Sequence, residues 1–147
     1  MDLPTKFAIR KPRVLLAGTQ DAIDTVRAAL GDLLDYICAD SVETAIGHLD
    51  RDLDLILCNV RFDESRMFDF LRAVRERDVA QGIPVVCIRA HDRPLSPGTH
   101  DAIEAALREF DTACFVDLYS LSRESGGSAA LAILRNTVFS RLKPREH

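Results

Sequence analysis

Short apolar runs alternate five times along this chain with stretches whose apolar residues recur every three or four positions. The runs are Arg13–Ala17 (RVLLA), Tyr36–Ala39, Leu53–Cys58, Val85–Arg89 (VVCIR) and Ala113–Val116. They lack the polar alternation of a half-exposed strand, so they predict strands covered on both faces. The intervening spacing predicts helices. Asp21 is the expected cap of one carrying Ile23, Val26, Leu30 and Leu33. Ser41 caps the next, with Ala45, Ile46 and Leu49 on one face, and Ser65 a third with Phe68, Leu71 and Val74. Gly82 ends that helix and Pro84 bars its continuation.

The loop AHDRPLSPG follows the fourth run, and Thr99 then caps a helix with Ile103, Ala106, Leu107 and Phe110. After the fifth run, a loop holding Gly126 and Gly127 leads to a last helix with Ala130, Ile133, Leu134, Val138 and Leu142. Five strand–helix units with short links imply one parallel sheet with helices on both faces. Right-handed crossovers make 2-1-3-4-5 the natural strand order, which is a doubly wound α/β fold. The third strand ends at Asn59, and its carboxyl end shares a crevice with that of the first strand. In such folds ligands gather in that crevice.

Composition narrows the reading. The chain has 147 residues, with 47% hydrophobic and 29% charged, which fits one ordinary globular domain. We read residues 1–12 as an N-terminal extension, 13–142 as the domain, and 143–147 as a tail or the start of a linker. The net charge of −4 argues against nucleic acid as a partner, because such proteins carry a basic patch. No apolar run approaches the ~20 residues needed to cross a bilayer, and MDLPTKFAIRKP lacks the apolar core of a signal peptide. The expected location is the cytoplasm. Cys38, Cys58, Cys87 and Cys114 form no C-x-x-C pair and sit in apolar runs, so they read as buried free thiols rather than metal ligands. No cofactor and no metal are expected.

Layout and local segments together (RVLLAGTQ, SVETAIGHL, DLILCNVRF, IPVVCIRA and FVDLYSL) make the chain resemble the receiver domain of bacterial two-component response regulators, a flavodoxin-like fold, from Arg13 to about Arg141. The resemblance implies five functional features, spread over seven positions, and each is altered here. The acidic pair that holds magnesium is Gly18 and Thr19, and the phosphoryl-accepting aspartate is Asn59. The Thr or Ser that contacts the phosphoryl group is Arg89. The Lys–Pro pair is Asp117–Leu118, and the aromatic reporter is Cys114.

An amide is not the carboxylate nucleophile that aspartyl phosphorylation needs. Magnesium needs hard anionic oxygens, which Gly18 and Thr19 lack. The chain is therefore expected to be a pseudo-receiver and not an enzyme. Arg89 and Asp117 are expected to lie within salt-bridge reach across the old site. Two alternatives stay open. Asp63 or Glu64 could serve as a relocated acceptor, or the crevice, with Arg61 and Arg93 nearby, could bind a small anion.

The stretch AALAIL in the last helix is apolar on more than one face. By the resemblance, the face built from the fourth helix, the fifth strand and the last helix is the usual dimer and partner surface. Its candidates are Ala106, Phe110, Cys114, Tyr119, Ala130 and Leu134. The implied partner is a protein: a sensor kinase, another regulator, an output protein, or a second copy of this chain.

Overall fold

A computed structural model describes residues 11–49, 52–60, 66–77, 80, 82–89, 97–108 and 114–142. Five parallel strands form one sheet: β1 (Arg13–Ala17), β2 (Asp35–Ala39), β3 (Leu55–Asn59), β4 (Val85–Arg89) and β5 (Cys114–Asp117), in the order β2-β1-β3-β4-β5. The helices are α1 (Gln20–Leu30), α2 (Val42–Gly47), α3 (Met67–Glu76), α4 (Pro97–Leu107), α5 (Leu118–Ser125) and α6 (Gly127–Arg141). The doubly wound fold and its strand order are as the sequence predicts.

Alternation along each strand builds two cores, one per sheet face. Leu15, Ile56, Cys58, Val85 and Cys87 point toward α2, α3 and α4, where Phe70, Leu71, Ile103 and Leu107 meet them. Val14, Leu16, Leu55, Leu57, Val86 and Ile88 point toward α1 and α6, against Ile23, Val26, Ala130, Leu134 and Val138. Each fully buried Leu or Ile contributes about 1.5–3 kcal/mol. Among the described residues no helix is long and apolar enough to cross a membrane.

Several local expectations are corrected. Thr19, not Asp21, caps α1: its hydroxyl accepts from the Ala22 amide at 3.3 Å. Asp21 lies in the first turn, where its charge favours the positive helix end. Leu33 falls on a short 3-10 turn (Gly31–Leu33) after α1 and is exposed, because Gly31 at φ 76° breaks the helical period. The buried face of α3 is Met67, Phe70, Leu71 and Val74; Phe68 is only partly buried. That helix stops at Glu76, ahead of Gly82, which takes φ 81° in the following turn. Helix α4 starts at Pro97, upstream of Thr99, since proline suits a first helical position, whose amide has no partner to lose.

Strand β3 starts at Leu55 and runs through Asn59, and β5 runs through Asp117. The segment after β5 is not a loop but α5, capped by Asp117, whose side chain accepts from the Ser120 amide. In α6 one stripe is buried, Ala130, Leu134 and Val138, while Leu131 and Ile133 are 37% and 39% exposed and Leu142 lies just past the helix end. Ser65, Phe110 and Ala113 lie outside the described residues, as do 1–10 and 143–147.

Candidate functional site

The carboxyl rim of the sheet is where the strand ends converge, and its residues divide into two groups. The first surrounds the ends of β1 and β3. Asn59 is the last residue of β3 and is 1% exposed. Gly18 follows β1, and its amide donates to the Ala39 carbonyl at 3.0 Å. A methyl group placed on Gly18 would stand 3.1 Å from the Asn59 Cβ and 3.5 Å from the Ala22 Cβ. The first contact is tight enough that Asn59 would have to give by a few tenths of an ångström before any side chain stood at position 18.

Thr19 directs its hydroxyl into the helix cap. A magnesium ion does not fit this donor set. One position has no side chain, the second is a neutral hydroxyl committed to an amide, and the third is an amide side chain. Among the described residues no group of three or more His, Cys, Asp or Glu is placed to hold a metal.

The second group closes the ends of β4 and β5. Arg89 and Asp117 are direct partners in the parallel register. Their strand geometry therefore brings a cation and an anion side by side. Arg89 Nε donates to Asp117 Oδ1 at 2.8 Å, with the side chains 7% and 22% exposed. A second guanidinium nitrogen donates to Ser120 Oγ at 3.2 Å. Ser120 in turn donates its hydroxyl to Asp117 Oδ2 at 3.0 Å and its amide to Asp117 Oδ1 at 3.1 Å.

The Arg89 guanidinium also lies over the Tyr119 ring, 4.7 Å from its centroid. Arg123 approaches the same ring at 5.6 Å and donates to the Tyr119 hydroxyl at 2.8 Å. A buried charge is tolerated only when paired and hydrogen-bonded, and Arg89 meets both conditions. Asp117 thus has two tasks, balancing Arg89 and capping α5. The cation that could hold an oxyanion already holds a carboxylate.

Ser120 and Arg123 were not singled out from the sequence. The signal available for Ser120 was the Asp117-x-x-Ser120 spacing, which matches a helix cap and its third residue.

The interaction face expected from the sequence does not assemble. Ala130 and Leu134 are wholly buried between α6 and the sheet, so neither is available to a partner. This is a correction, and its reason is that both sit on the single stripe α6 turns inward. Ala106 packs against one core and Cys114 against the other, on opposite faces of the sheet. Tyr119 belongs to the rim cluster. Phe110, Arg61, Asp63, Glu64 and Arg93 lie outside the described residues.

The cysteines are free thiols. Cys58 and Cys87 are direct partners on β3 and β4, and both are buried. Burial pushes the Cys87 thiol up to about 12 and raises that of Cys58 well above its usual value. Cys38, by contrast, is exposed on the edge strand β2, so the expectation of uniform burial fails there. Cys114 is intermediate.

No protein-family model matches the chain, and no curated protein sequence matches it at a significant level. Solved structures do match. A response regulator from Hahella chejuensis superposes with a TM-score of 0.64 at 20% identity, over 90% of this chain and 98% of that one. Chemotaxis response regulator CheY4 of Vibrio cholerae gives 0.61 at 17% identity, over 87% and 99%. A signal receiver domain of a two-component histidine kinase from Clostridium thermocellum gives 0.58 at 20%, over 90% and 98%. At these identities the likeness is one of fold: this chain has the architecture of receiver domains.

Proposed function

We propose that this chain is a receiver-like signalling module of the cytoplasm that takes no phosphoryl group and acts by contact with a protein partner. The observation that carries the reading is the Arg89–Asp117 pair at 2.8 Å, which stands where an incoming phosphoryl oxygen would need a free cation. Asn59 supports it, because an amide in the position of the nucleophile forms no acyl phosphate. Gly18 and Thr19 support it from the metal side. On this reading the protein is not an enzyme, and its message depends on which surfaces the fold presents.

The test is incubation of the full chain with acetyl phosphate and magnesium, followed by intact-mass measurement, with a phosphorylatable receiver as the positive control. Neither a mass gain of one phosphoryl group nor a heat of magnesium binding is expected. A labile adduct would overturn the proposal, and its position would distinguish Asn59 from a relocated acceptor at Asp63 or Glu64.

A further inference from the structure

We infer that α5 is a latched cover over the carboxyl ends of β4 and β5, opening as a unit about Gly126 and held shut by Arg89. Three features of α5 bear on this. It has eight residues, too few to be stable in water without tertiary support. Its apolar hold is small: Leu118 is the one residue of α5 fully buried, with Leu121 partly so, while Ser122 to Ser125 are exposed. Its far end is Gly126 at φ 91°, a backbone conformation that favours glycine and forms a natural hinge with α6.

What closes the cover is therefore polar. A single guanidinium from β4 reaches Ser120 and stacks on Tyr119, while Asp117 anchors the helix start. Elements with few buried apolar contacts open locally at free energies below that of global unfolding. Opening breaks the Ser120 and Tyr119 contacts together, because both converge on Arg89. It uncovers the rim and the apolar side chain of Leu118. The rim thereby has two states, and their balance is set by one buried cation rather than by a phosphoryl group. This deepens the proposed function and rests on it; acetyl-phosphate labelling would sink that reading without bearing on whether α5 opens.

Hydrogen exchange of the full chain, read by mass spectrometry across low guanidinium concentrations, tests the cover. Amides of residues 121–126 are expected to exchange faster than those of β3 and with a weaker denaturant dependence. If they share the rate and the dependence of β3, no separate opening exists and the inference fails. Arg89→Met is expected to speed exchange at 121–126 by roughly tenfold or more, the effect of losing charge-assisted hydrogen bonds. Acceleration at β3 alone, with 121–126 unchanged, would show that Arg89 is no latch. Ser120→Ala removes the hydroxyl contacts while leaving the Arg89–Asp117 pair and the amide cap, so it is expected to fold. It is expected to speed exchange at 121–126 by roughly tenfold, the lower end for hydrogen bonds to charged groups, and no change there would also overturn the inference.

Discussion

Removing one member of the Arg89–Asp117 pair is expected to be more damaging than removing both charges, and the two single losses are expected to be unequal. In Arg89→Met the apolar stem is kept and Asp117 is stranded. Asp117 is 22% exposed and keeps the Ser120 amide and hydroxyl, so the loss should be about 2–3 kcal/mol, within the range for charged hydrogen bonds. In Asp117→Ala the Arg89 guanidinium, at 7% exposure, loses its carboxylate but keeps Ser120 and the Tyr119 ring, so the loss should be about 3 kcal/mol, the lower end for breaking a buried pair. The α5 cap is lost as well, adding about 1 kcal/mol. The double variant Arg89→Met/Asp117→Asn keeps a capping side chain and buries no charge, so it should fall only about 1–2 kcal/mol below wild type.

Equilibrium urea unfolding with a common slope measures all of these. A completed double-mutant cycle with Asp117→Asn should show coupling of about 1.5–3 kcal/mol. Against a total stability of about 5–15 kcal/mol, Asp117→Ala should remove roughly a quarter or more of it. If the single effects simply add, to within about 0.5 kcal/mol, the two side chains do not work as a pair and the reasoning on the rim is wrong.

Restoring the nucleophile alone should not restore the chemistry: Asn59→Asp is expected to show no beryllofluoride–magnesium binding by fluorine NMR, and a bound signal would refute the account of Gly18, Thr19 and Arg89. Gly18→Asp should destabilise by about 1–3 kcal/mol through crowding against Asn59, and a thermal midpoint equal to wild type would contradict that geometry. Leu134→Ala should lose about 2–5 kcal/mol and Leu131→Ala under about 0.5 kcal/mol, since one is wholly buried and the other partly exposed; equal losses in denaturation would contradict the orientation of α6. Because burial raises the Cys58 and Cys87 thiols above their unfolded value of 9.0, the stability tied to keeping them neutral is intact below pH 9.0 and is lost as pH rises from there toward about 12. Denaturation between pH 8 and 11 should show that decline weakened in Cys87→Ala, and an unchanged slope would refute the assignment.

Residues of the chain itself determine the sheet. Five apolar runs without alternation demand cover on both faces, and short links with right-handed crossovers leave one economical strand order. The altered rim residues are equally legible, because each lies at the end of a run and its functional groups are a matter of composition. Cap positions were less so. Asp21 and Thr19 both suit an N-cap, and only the backbone path decides that Thr19 reaches the Ala22 amide. Helix α5 is hidden for a similar reason: LYSLSRES is short with only two leucines, and part of its hold comes from Asp117 and Arg89, which meet only through the pairing of β4 and β5. The inward stripe of α6 was also undetermined, since AALAIL offers apolar residues on several faces and the sheet selects one. Local spacing names the groups a chain owns; pairing between distant segments decides which of those groups neutralise one another, and here that pairing joins Arg89 to Asp117.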